Sequence, residues 1–211
     1  MDAAEAYPML RERISALVAD ADGSIPTPAC PSWRVHDVLA HVVGVTSDVL
    51  AGRLDGVATD PWTAAQVESR RDATLGEMID EWTANAEAFD AVIPAMGPVS
   101  GQLIFDTWTH EQDLRGALQQ PGHRDGPEIL LAFEFLLTWW KPQVAVVSDG
   151  WTFSPDDGAP ATLRASRFEL MRTFSGRRSA DQVAALDWHP EPRPELVRFD
   201  FFGFRENPLV E

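Results

Sequence analysis

The sequence predicts a mainly α protein: a four-helix bundle followed by a small C-terminal α/β extension. Three observations carry this. Up to Pro142, apolar residues recur at three- and four-residue spacing with charges between them, the signature of helices with one buried face. Breaker residues cluster between those stretches, at Gly23–Pro31, Pro94–Pro98 and Pro121–Gly122. Beyond Pro142 the pattern gives way to short apolar runs separated by Gly, Asp and Pro. The expected division is therefore a bundle over 1–142 and a small α/β piece over 143–211.

The first helix is read from Ala6, Met9, Leu10, Ile14, Leu17 and Val18, and should end before Gly23. A second runs from about Trp33 to Leu50, with Val35, Val38, Leu39, Val42, Val45 and Val49 as its buried stripe. Asp60-Pro61-Trp62-Thr63 opens a long helical region reaching to about Ile93 and bent near Ala73. Thr63 with Gln66, and Thr74 with Glu77, have the spacing of a capping box, in which each side chain satisfies the other's orphan backbone N–H. The fourth helix covers about Ser100 to Gln119. A fifth starts at Pro127, a residue suited to a first helical turn, and runs to about Pro142. In the extension, VAVVSDGWTFSPDDG and ATLRA read as strands, and Phe168–Phe174 as a helix stopped by Gly176. Ser179 and Gln182 are spaced to cap one more helix, and the aromatic tail RFDFFGF should pack back onto the body. The tryptophans Trp33, Trp62, Trp82, Trp108, Trp139 and Trp140 are read as bundle core.

Composition excludes several roles. With 17 Lys and Arg against 33 Asp and Glu, the formal net charge is −16, which argues against nucleic acid and anionic membrane surfaces as partners. No apolar run approaches the roughly 20 residues of a membrane span, and the acidic N-terminus lacks the basic and apolar regions of a signal peptide. A single cysteine, Cys30, forms no internal disulfide. These features lead to the expectation of a cytoplasmic protein, monomeric or homodimeric, acting on small molecules.

Chemistry concentrates in FDTWTHEQDLR. Asp106 and His110 stand at i and i+4 on a predicted helix, so their side chains lie on one face, roughly 5–6 Å apart at Cβ. A carboxylate and an imidazole so placed can both reach one cation at about 2 Å. Asp113 follows one turn later near the same face. His41, in VHDVLAHVVG, sits beside the apolar stripe of the second helix and faces the bundle interior or its rim. Facing helices that deliver such groups inward are how bundles build metal sites. Two histidines and one carboxylate suit a catalytic zinc site, and equally a non-haem iron site. The same residues also have an ordinary reading: a core-edge histidine, and an Asp/His pair on a solvated helix face.

WRVHDVLAHVVG, followed some way on by DTWTHEQDLRGAL, resembles the DinB-like superfamily. More narrowly it is similar to the actinobacterial proteins grouped with mycothiol-dependent maleylpyruvate isomerase. The likeness takes in DPWTAAQVESRRD, DEWTANAEAFDAVI and the later FELMRTFSGRRSADQVAALDW, and so covers most of the chain. The resemblance implies a DinB-like four-helix bundle holding zinc through His41, Asp106 and His110, with Fe2+ and Ni2+ as alternatives. Asp106 departs from the pattern, since the isomerase carries a glutamate there, one methylene longer. Mycothiol or another low-molecular-weight thiol is the implied cosubstrate.

An arginine from the 172–178 segment is implied to face the metal. Arg177 and Asp113 are the catalytic candidates, the arginine to hold a substrate carboxylate and Asp113 to orient a metal ligand or Arg115, while Arg172 and Arg115 are candidates for holding the cofactor. Arg suits bidentate binding of a carboxylate, although a solvated basic cluster, or an Asp113–Arg115 network tying helix to loop, reads as well. Three functions follow: a thiol S-transferase or cis–trans isomerase acting on a small electrophile, a metal-dependent hydrolase, or a non-catalytic metal- or ligand-binding stress protein.

Overall fold

In the computed structural model, which describes residues 1–211, helix α1 (Ala3–Val18) begins at a capping box. The Asp2 carboxylate accepts from the Glu5 N–H at 3.0 Å, and that of Glu5 accepts from the Asp2 N–H at 3.1 Å. α2 (Val35–Leu50) follows, then α3 (Asp60–Ser69), α4 (Leu75–Ala84), α5 (Ala86–Val92), a 3-10 stretch (Ile93–Val99) and α6 (Ser100–Ala117). The region expected as one bent helix is thus three. The Thr74–Glu77 capping box opens α4 as expected. The Thr63–Gln66 box does not form, because α3 starts earlier, with Thr59 at its N-cap and Pro61 in its first turn. Gln66 is left buried on the inner face of α3, where its amide serves other partners.

These elements make up the first of two compact units, Met1–Pro121. α1 packs along α6, and α2 packs on α3, α4 and α6. Three helices are tied by one buried knot. The Tyr7 hydroxyl lies 2.7 Å from Thr46 Oγ1, and the Trp82 indole N–H donates to both oxygens at 3.0 Å. Burial pushes the Tyr7 hydroxyl pKa up to about 12, so it stays protonated and available as a donor. A second knot joins α1 to α6, where fully buried Glu111 accepts from Arg13 and Arg115. The run Ala86–Ala117 has the length and apolar composition of a membrane span, but the backbone breaks from helical geometry at Gly97 within it. Its buried Leu103, Ile104, Trp108 and Leu114 serve here as the central face of the bundle.

The second unit is Gly122–Glu211. It holds α7 (Ile129–Trp139), β1 (Ala145–Ser148), β2 (Trp151–Phe153), β3 (Thr162–Arg164), α8 (Arg167–Phe174), α9 (Ala180–Ala184) and β4 (Asp187–His189), then a 3-10 turn (Pro194–Val197). The sheet order is β2-β1-β3-β4, with β1 and β3 parallel and the outer pairs antiparallel. The division expected at 142/143 falls instead at 121/122. The reason is aromatic packing: the Phe133 ring of α7 lies 4.7 Å from that of Trp151 and 5.8 Å from that of Phe174, which makes the fifth helix part of this unit. The tail returns as expected, with Phe199 stacked on Trp140 at 5.3 Å. Trp139, expected in a core, is 72% exposed because it lies on the outer side of α7.

Candidate metal centre

α2 contributes His41, and α6 contributes Asp106 and His110 one turn apart. His41 Nε2 lies 3.5 Å from Asp106 Oδ2, and His110 Nε2 lies 3.6 Å from Asp106 Oδ1. The two imidazoles meet edge to face, with centroids 5.0 Å apart and planes at 82°. One ligand atom from each of the three residues falls within 4.8 Å of the others. Both histidines are buried, whereas the Asp106 side chain keeps 32% of its exposure, so the cluster opens at the bundle rim.

The far side of each ring is held. His41 Nδ1 lies 2.7 Å from Gln66 Oε1, and His110 Nδ1 lies 3.1 Å from Oδ2 of fully buried Asp113. Histidine ligands to metals almost always make such an outer hydrogen bond, which sets ring orientation and tautomer. The Cys30 thiol donates to the same Asp113 oxygen at 3.1 Å, so Cys30, Asp113 and His110 form a second convergent group. Half-buried Trp33 lies flat against His110, with centroids 6.0 Å apart, and 5.6 Å from His41. Trp33 also lines a cleft of about 350 Å³ with Asp60, Thr63, Ala64, Val67 and Glu68.

The donor set fits a divalent cation. Two imidazole nitrogens and a carboxylate converge at separations too long for good N–H···O hydrogen bonds, yet short enough to share one ion at about 2 Å each. Each of the three groups is a Lewis base, so a shared cation satisfies all of them at once.

The family described as mycothiol maleylpyruvate isomerase N-terminal domain matches residues 7–115, just over half of the chain. The chain belongs to this family. Membership makes the first unit a mycothiol-related, DinB-like helical domain, and the matched span contains His41, Asp106, His110 and Asp113. No curated protein and no solved structure matches the chain.

The remaining residues singled out in the sequence fall differently. Asp113 belongs to the cluster through His110. Arg115 does not pair with Asp113: its Nε donates to Glu111 at 2.9 Å and its Nη1 to the Gln120 carbonyl at 3.2 Å, tying α6 to the loop beyond it. Both arginines named for the 172–178 segment lie outside the family match, in the second unit. Arg172 is fully buried and its guanidinium is taken by the Glu211 carboxylate, with Nε 3.0 Å from Oε2. Half-buried Arg177 donates to the Ser175 carbonyl at 2.7 Å.

Gln66, Cys30 and Trp33 are site residues that the sequence does not reveal. Gln66 reads there as a cap and Cys30 as a loop residue without a base, because their partners stand 25 and 83 positions away. One signal is present: Gly44 within an apolar helix, a pattern that often has a packing reason. A Cβ there would lie 2.5 Å from the Gln66 Cβ, so Gly44 is what lets α3 bring Gln66 to His41.

Proposed function

We propose that the chain is a metal-dependent, thiol-using enzyme, an S-transferase or cis–trans isomerase that joins mycothiol or a similar thiol to a small electrophile. The observation that carries this reading is the convergence of His41, Asp106 and His110 inside the segment that matches a mycothiol-related family. These three residues would hold the ion, with zinc the first choice for a set of two imidazoles and one carboxylate. A divalent cation there supplies Lewis acidity, which favours the thiolate form of a thiol that approaches it.

The chain's own residues do the rest. Asp113 fixes the His110 ring through Nδ1 and leaves Nε2 facing Asp106. Trp33 lies flat against His110 and at a tilt to His41, which limits water on that side of the cluster while leaving the Asp106 side open. The cleft beside Trp33 carries Asp60 and Glu68 and no basic residue, so it suits a neutral, hydroxyl-bearing portion of a ligand better than an anionic one. No cysteine of the chain needs to serve as nucleophile, since the exogenous thiol does so.

The test is consumption of a small electrophile by zinc-loaded protein, with and without mycothiol. Turnover that requires the thiol and is lost in His110→Ala supports the reading. Turnover without thiol points instead to a hydrolase. Metal binding with no consumption of any electrophile makes the chain a binding protein.

A further inference from the structure

We propose that Asp48 and Gln66 form a hydrogen-bond relay that sets the tautomer of His41, so that its Nε2 lone pair faces Asp106 and His110. This rests on the reading of that cluster as a metal centre and assigns positioning roles to two residues outside it. Asp48 stands near the end of α2. Its Oδ1 accepts from Arg53 Nε at 2.8 Å, and its Oδ2 lies 2.8 Å from Gln66 Nε2. A carboxylate beside a guanidinium can only accept, so the Gln66 amide must present its NH2 group to Asp48. The opposite amide orientation would set two oxygens against each other at that distance. The Gln66 oxygen is thereby turned toward His41 Nδ1, 2.7 Å away.

An amide oxygen also can only accept, so the proton on the His41 ring must sit on Nδ1. That leaves Nε2 unprotonated on the side of Asp106, 3.5 Å off. Gln66 is 2% exposed and its bond to His41 is buried, while its bond to Asp48 is part-buried. Gly44 is the structural precondition. A side chain there would collide with Gln66 Cβ at 2.5 Å and Cγ at 2.7 Å. His110 is set the same way by a single group, Asp113, but His41 depends on a chain of two, because Asp48 acts only through the amide.

The relay is tested on the full chain by long-range 15N–1H correlation NMR of the His41 ring, in metal-free protein at a pH where the imidazole is neutral. The wild type should show the Nδ1–H tautomer, the minor form of free histidine. Asp48→Asn frees the amide to turn over, and Gln66→Met removes the acceptor; both should shift the ring toward the Nε2–H form. Each should also weaken zinc binding about 10–100-fold in chelator competition. An Nε2–H ring in the wild type, or a tautomer unchanged in both variants, overturns the relay. Wild-type protein that shows the Nδ1–H ring but takes up no zinc would retain the relay and overturn the metal centre instead.

Discussion

Two groups of buried charge, one in each unit, are built on opposite principles. In Gly122–Glu211, Arg172 and Arg178 meet Glu169 and Glu211, so cations and anions answer each other. Arg178 donates to Glu169 at 2.8 Å and to Glu211 at 2.8 Å, and its guanidinium lies over the Phe168 ring. In Met1–Pro121, His41, Asp106 and His110 bring together three groups that all offer lone pairs, at an opening of the bundle. The first arrangement is complete within its own side chains. The second is an arrangement that a shared cation would complete. Buried charge alone therefore says little about function; the balance of donors and acceptors, and the exposure of one member, distinguish a structural knot from a site.

Removing a cation from the closed group should have the greatest consequence. Arg172→Ala should cost about 3–5 kcal/mol of stability in urea unfolding, because it empties a fully buried site and takes from the Glu211 carboxylate one of its two guanidinium partners, leaving only Arg178. A loss under about 1 kcal/mol would mean that the pair is solvated and the contrast overstated. Adding a cation to the open group comes next. Zinc at about 100 times its dissociation constant should stabilise the wild type by about 2.7 kcal/mol and leave His41→Ala and His110→Ala unmoved. Equal stabilisation of all three proteins would place zinc elsewhere.

A lesser consequence concerns pH. Burial alone would raise the Glu169 pKa, but the hydrogen bond and charge of Arg178 outweigh it and hold the group below its ordinary value of 4.5. A folded-state pKa below the unfolded one means that the contribution is full above the ordinary glutamate range and is lost as pH falls through the lowered value. Arg178→Met should therefore lose stability at neutral pH and flatten the acid dependence of what remains. An unaltered acid profile would show that Glu169 is not the group responsible. The mildest change is expected at Cys30. Cys30→Ala removes one donor to Asp113 and should cost about 1 kcal/mol, with a modest loss of zinc affinity read by chelator competition.

Periodicity and capping make most of the fold legible in the sequence. The i, i+4 pair Asp106 and His110 is readable because both residues share one helix, whose geometry fixes their relation before any tertiary contact forms. His41 is readable from its place beside a valine stripe. Gln66 is not, because its role depends on where α3 begins and on how closely α2 allows it to approach, which local spacing does not encode. Cys30 reaches Asp113 only through the course of the loop ahead of α2. The unit boundary escapes the sequence for a similar reason: α7 looks like another bundle helix there, and only its ring contacts with Trp151 and Phe174 assign it to the second unit.

Whether a cation occupies the three-donor cluster decides between a site and a merely polar rim. Elemental analysis of untagged full-length protein, beside His41→Ala and His110→Ala, measures this most directly. About one zinc per chain is expected in the wild type and none in either variant. No metal in the wild type after reconstitution with zinc, iron and nickel would contradict the assignment of His41, Asp106 and His110 as ligands.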